Sequence, residues 1–217
     1  VTPRWLPGIA AVAAALTVVC ALWVDAPLAR YLADHGVAAR ATWNAAVAAL
    51  DAIGFAGPRW LVTGLVAGAA LVAMAARSRG AAALRLLAVS HVVARISMIW
   101  IKDATGRLRP LEWLDAGGDM FGRVGGVGFP SGHVTYYLSL TLPLVVAAPR
   151  RAWILIVPAA LCAARVAVDD HFASDVTGAI AWVALVTYAA GRALAVTSPG
   201  PGGTRPRPRR PSSGTPR

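Results

Sequence analysis

A handful of polar residues in an otherwise apolar chain have the types and the spacing to do chemistry. Lys102 is the single lysine of the sequence, and Arg109-Pro110 follows it. Pro130-Ser131-Gly132-His133 comes next, then Arg165, with His171 and Asp175 four apart beyond it. Lys102, Arg109 and Arg165 supply positive charge without a metal, and arginine adds planar two-point hydrogen bonding that lysine lacks. Ser131 and the Gly132 N–H stand where a helix is expected to begin, a natural anion site, and glycine there lets the backbone approach a ligand closely. Two imidazoles, His133 and His171, can move protons near neutral pH. If His171 and Asp175 share a helix face, Asp175 can fix the His171 tautomer and stabilise its charged form. No CxxC, HExxH or His/Cys cluster suggests a metal, and Cys20 and Cys162 read as small packing residues.

These residues sit at the ends of long apolar runs. Of the 217 residues, 57 % are hydrophobic, and mean hydropathy is +0.60, above the roughly 45–50 % apolar share of soluble domains. Trp5–Val24, Trp60–Ala76 and Val134–Pro149 carry no charge. A bilayer crossing takes about 20 mostly apolar residues. Ala81–Ile101, Ala152–Val168 and Ser174–Val196 carry a few charges each, near their ends or, for His91 and Arg95, inside. The expectation is an all-α bundle of six membrane spans over residues 1–197. The first run is longer than a signal-peptide core and is read as a retained span.

With six spans, Arg4, Arg77, Arg79, Arg85, Arg150, Arg151 and the arginines from Arg192 onward fall on one side, which holds none of the ten acidic residues. Basic loops stay inside, so both termini are expected in the cytoplasm and the polar cluster at the extracytoplasmic face. The net charge of +11 then points to anionic membrane lipid rather than nucleic acid. Residues 198–217, rich in Pro, Gly, Ser and Arg, read as a disordered cytoplasmic tail. Thr42–Phe55 shows helical spacing of apolar residues and is expected as a short helix at the outer interface with Trp43 as anchor. The glycines in Gly117-Gly118 and Gly122–Gly128 argue against regular structure in the external loop.

Lys102 to Arg109-Pro110, then Pro130 to His133, then Ala164-Arg165, His171 and Asp175 resemble the three-part signature of the type 2 phosphatidic acid phosphatase (PAP2) superfamily, K-x6-RP, PSGH and SR-x5-H-x3-D. That family also includes vanadium haloperoxidases and glucose-6-phosphatase. The one departure is Ala164, where the family usually has Ser. The resemblance runs from the third span to the sixth. It implies a six-span bundle of the acid phosphatase–vanadium haloperoxidase type, with no cofactor. It also implies a phosphate held by Lys102, Arg109, Ser131, Gly132 and Arg165. His171 would be the nucleophile that forms a phosphohistidine, with Asp175 behind it, and His133 would protonate the leaving alkoxide and later activate water. Phosphate ester hydrolysis is among the slowest uncatalysed reactions, and its transition state spreads charge over three equatorial oxygens, which suits a cluster of cations.

Taken singly, each residue has a plainer reading: a span-end arginine anchors in headgroups, and Asp175 caps a helix. Their coincidence in three ordered segments favours a site. Arg95, in the third span on a face similar to that of Lys102, is a candidate for a second phosphate of a diphosphate substrate or for structural pairing with Asp169 or Asp170. The expected activity is hydrolysis of a lipid phosphate in the plasma membrane, of the phosphatidic acid, phosphatidylglycerophosphate or polyprenyl diphosphate type. A phosphotransferase using the same site and a phosphate-recognising transporter are the competing readings. A transporter would place its polar groups at the midplane. The oligomeric state is open.

Overall fold

The computed structural model describes residues 3–53, 60–78, 80–122 and 125–197. The basic tail 198–217, Phe55, Arg79 and positions 123–124 of the glycine-rich loop lie outside the described residues. Among the described residues every regular element is helical. They are α1 (Leu6–Val19), α2 (Asp25–His35), α3 (Val37–Ile53), α4 (Leu61–Ala75), α5 (Ala81–Thr105), α6 (Pro110–Ala116), α7 (Gly132–Ala147), α8 (Ile156–Ala167) and α9 (Ala173–Thr197).

Among the described residues, three stretches are long and apolar enough to cross a membrane: Leu6–His35, Ala81–Ala116 and Ala173–Ala195. The other three expected spans are shorter as α-helix. α4 has 15 residues, α7 has 16, and α8 has 12 preceded by the 3-10 turn Pro149–Leu155. A 15-residue α-helix rises only about 22 Å, short of the roughly 30 Å hydrocarbon core. α1 packs antiparallel on α9, with Leu6 buried against Val183, Ala184 and Val186 and Thr17 bonded to Thr177 at the other end. α5 packs between α4 and α7.

Two expectations for the N-terminal third change. The first apolar run does not stop at Val24. A π-helical turn, Cys20–Val24, joins α1 to α2, so the chain stays helical to His35. A π-turn inserts one residue and rotates the helix beyond it, and Asp25 just after it is buried at 1 % exposure. The interfacial helix begins at Val37 rather than Thr42, and it does not simply lie on the surface. Val47 is buried among Tyr136, Tyr137, Leu161 and Ala164, with Leu50 packed beside them. Ala164, the position where the family usually has Ser, thus serves as an apolar seat for α3.

His91, a suspect because it is ionisable inside an apolar run, is fully buried and satisfied. Its Nδ1 lies 2.7 Å from Ser139 Oγ and its Nε2 3.0 Å from Thr63 Oγ1, tying α5 to α7 and α4. Buried polar groups need such partners.

Candidate active site

The C-terminal ends of α3, α5 and α8 and the N-terminal ends of α4, α7 and α9 gather at one end of the bundle, and the site is built from their edges. α5 stops where Gly106 takes the left-handed conformation at φ 51°. The chain then runs extended through Arg107 to Arg109, which precedes α6. There the Arg109 N–H donates to Glu112 Oε2 at 2.9 Å and Pro110 occupies the first helical position, where its missing N–H costs nothing.

The loop after α6 folds back on this extended piece. Gly122 N–H donates to Thr105 O at 2.9 Å and Gly128 N–H to Arg107 O at 2.7 Å. A Cβ on Gly126 or Gly128 would run into the backbone of Gly106, Arg107 or Leu108, so only glycine permits the approach. The loop thereby delivers Ser131 to the start of α7, where its N–H donates to Asp175 O at 3.0 Å. The Ser131 hydroxyl is buried with no hydrogen-bond partner. Leaving a buried hydroxyl unmatched costs about 1–3 kcal/mol, so it is available to an oxygen-rich ligand.

On the other side, the turn between α8 and α9 carries two acids and an imidazole in sequence. The Asp170 and His171 N–H groups both donate to Arg165 O at 3.2 Å. Asp169 adopts φ 57°, a conformation aspartate tolerates better than most residues, and pairs with Arg40 of α3. Burial pushes the Asp169 carboxyl up and Asp170 adds to this, while Arg40 opposes them. Asp170 divides its oxygens between two arginines, Arg165 at 2.6 Å and Arg109 at 3.2 Å. It fixes the distance between two cations that look independent in the sequence.

His171 and Asp175 do meet, although not along a helix face. α9 begins only at Ala173, so His171 lies in the turn before it and its Nδ1 reaches back to Asp175 Oδ2 at 3.4 Å. The same carboxylate oxygen accepts the Phe172 N–H at 2.8 Å, closing the first turn as a capping box does. Burial lowers the His171 pKa, Asp175 opposes that, and Lys102 and Arg165 reinforce it. His171 is therefore neutral over a wider acid range than a free histidine. With Nδ1 turned to Asp175, the lone pair of the neutral ring falls on Nε2.

A cavity of about 460 Å³ opens between these edges. Lys102, Arg109, Gly132, His133 and His171 line it, together with Arg95, Trp60 and Tyr136. Ser131, Arg165 and Asp175 are not among its lining residues. Lys102 is held by a bond from its Nζ to Val127 O. Gly132 has open space on its Cα, since a Cβ there would meet only Met98 and Lys102 at ordinary contact distance. Arg95 lies over the Tyr136 ring at 5.3 Å and the Trp60 ring at 5.8 Å. Asp169 and Asp170, the carboxylates expected for it, bind Arg40 and the pair Arg109 and Arg165.

Three supporting residues were not singled out from the sequence. Asp51, near the end of α3, lies 2.9 Å from His133 Nε2. Arg107, at 1 % exposure, bridges Asp175 Oδ1 at 2.8 Å and Asp25 Oδ2 at 2.6 Å. Asp25 in turn accepts the Ser174 N–H at 3.0 Å and the Ser174 hydroxyl. The only sequence signal for this group was an aspartate interrupting the end of an uncharged run.

The arrangement can hold a tetrahedral oxyanion among cations and place two imidazoles beside it. A family model described as the PAP2 superfamily matches residues 83–198, more than half of the chain. No curated protein and no solved structure matches.

Proposed function

Since the chain belongs to the PAP2 superfamily, a family that points to phosphatase-type activity, we propose that it is an integral membrane phosphatase acting on a lipid phosphate or diphosphate through a phosphohistidine on His171. The observation that carries this reading is the cavity lined by Lys102, Arg109, Gly132, His133 and His171 at one end of an apolar helical bundle. Large apolar side chains face outward on several helices, among them Val12, Leu16 and Leu22, Leu65 and Val72, and Trp100. Exposed apolar surface on that scale suits a lipid surround. The shorter α4, α7 and α8 would complete a six-span bundle, with the cavity at the extracytoplasmic face and both termini inside, as the basic loops favour.

In this reading Lys102, Arg109 and Arg165 neutralise the phosphoryl oxygens, and the Ser131 hydroxyl and Gly132 N–H complete the cradle at the start of α7. His171 Nε2 attacks phosphorus while the P–O bond to the lipid alcohol breaks. His133 gives its proton to the departing oxygen. It then takes a proton from water as the new P–O bond forms and the P–N bond breaks, returning His171 and releasing phosphate. No step calls on a metal. The lipid tail stays in the membrane while its head meets the cations.

The test is phosphate release, read with malachite green, from detergent-solubilised protein given phosphatidic acid, phosphatidylglycerophosphate and a polyprenyl diphosphate, with EDTA present. Phosphate should appear without any acceptor and an acid-labile phosphoenzyme should be trapped. His171→Ala should abolish both. Release that requires a lipid or sugar acceptor would make the protein a phosphotransferase, and turnover surviving His171→Ala would overturn the nucleophile.

A further inference from the structure

A carboxylate from outside the family-matching stretch touches a histidine that lines the cavity. Asp51 stands near the end of α3, 32 residues before that stretch begins at residue 83. Its Oδ2 lies 2.9 Å from His133 Nε2. Its Oδ1 lies 3.2 Å from the Tyr137 hydroxyl, which also donates to Leu50 O at 2.7 Å. Asp51 is therefore held from two sides, by the helix that carries it and by a tyrosine one turn beyond His133 on α7.

An exposed histidine–aspartate pair would carry little meaning, because surface ion pairs contribute about 0–1 kcal/mol. Here the partner lines the cavity and both side chains are half-buried. Engaging Nε2 has a definite consequence for the ring. Only Nδ1 remains for a ligand, and the carboxylate counters the burial and the Arg165 charge that disfavour the form of His133 carrying protons on both nitrogens. The same logic governs His171 with the nitrogens exchanged: Asp175 takes Nδ1 and leaves Nε2 to the cavity. The two dyads thus present opposite ring nitrogens to one space.

We propose that Asp51 is the positioning residue of the general acid. It holds His133 through Nε2–H so that Nδ1–H faces the leaving oxygen, and it stabilises the imidazolium that must exist before the P–O bond breaks. During that step the Nδ1 proton passes to the alkoxide as its P–O bond opens, the P–N bond to His171 forms, and Asp51 stays ionised. The inference rests on the reading of His133 as the acid. It adds a residue that neither the three signature segments nor the family match contains.

Leaving groups separate the two ideas. An alkyl alcohol must be protonated as it departs, whereas p-nitrophenolate leaves without help, and kcat/KM reports the steps up to loss of the alcohol. Asp51→Asn should lower kcat/KM for dioctanoyl phosphatidic acid by about 10- to 100-fold, part of the about 10²–10⁴-fold that a positioned acid contributes. It should change p-nitrophenyl phosphate by less than about 3-fold, and that retained turnover also reports an intact fold. Tyr137→Phe should show the same selectivity to a smaller degree, and decides the matter if Asp51→Asn does not fold. Equal losses on both esters, or no loss on either, overturn the proposal. His133→Ala marks the underlying reading. If it is selective and the Asp51 and Tyr137 variants are not, only the role of Asp51 falls. If His133→Ala itself shows no selectivity, the acid assignment falls with it.

Discussion

The guanidinium of Arg107 bonds Asp175 Oδ1 at 2.8 Å, on the carboxylate whose other oxygen faces the His171 ring. Its second nitrogen bonds Asp25 at 2.6 Å, across 82 residues of sequence. One arginine between two fully buried aspartates thus connects the first helical stretch to the carboxylate beside His171. Charges this deep hold only while paired, because removing one partner strands the others.

The first prediction concerns stability. Arg107→Ala should cost about 3–5 kcal/mol, the range for breaking a buried ion pair. Arg107→Lys should recover only part of that, since an ammonium cannot span both carboxylates in one plane. Thermal unfolding in detergent would show the order wild type, Lys, Ala. Equal midpoints for wild type and Arg107→Ala would mean that the bridge contributes nothing.

Acidity provides the second. As the proposed nucleophile, His171 would attack only when neutral, and burial lowers its pKa. The acid limb of kcat/KM should accordingly lie below the ordinary histidine range. Asp175 acts in the opposite direction on His171. Asp175→Asn should therefore move the limb to still lower pH while reducing the rate at the plateau. A limb that moves upward in Asp175→Asn would contradict the pairing.

Arg95 supports the third. It faces the cavity between Trp60 and Tyr136, two turns along α5 from Lys102. A hydrogen bond from a charged group to a second phosphate is worth about 1.5–3 kcal/mol. Arg95→Ala should cut turnover of a polyprenyl diphosphate about 10- to 100-fold and leave phosphatidic acid within about 3-fold. Parallel losses on the two substrates would assign Arg95 to packing.

The fourth is steric. A Cβ at Gly178 on α9 would overlap the Phe129 ring, and Phe129 directly precedes Pro130 and Ser131. Gly178→Ala should destabilise by about 1–3 kcal/mol, the usual cost of overpacking, and should weaken phosphate binding by displacing the start of α7. Inhibition by inorganic phosphate would measure that second effect.

The site residues on α5, α7, α8 and α9 were legible because each stands in a short segment with fixed spacing. Their convergence follows from apolar runs that must alternate in direction. The helical character of the chain was legible for the same reason. The hidden part came from the N-terminal third. Asp51 and Arg40 lie on an amphipathic helix, where a charge reads as a solvated face. Their partners, His133 and Asp169, are more than 80 residues away, beyond any local pattern. Asp25 follows a π-turn, and no composition signal announces such a turn or the burial beyond it. The α8 run was read as longer than its helix because apolar residues begin before it, in the 3-10 turn Pro149–Leu155.

Asp25, Arg40 and Asp51 all reach inward from the first 53 residues, to Arg107, Asp169 and His133. Part of the support for the signature residues is thus written in the other half of the chain. Residues 83–198, though they carry every signature position, are not a detachable module. Grafting that half onto a foreign N-terminal segment would transplant the reactive groups without the clamps that aim them.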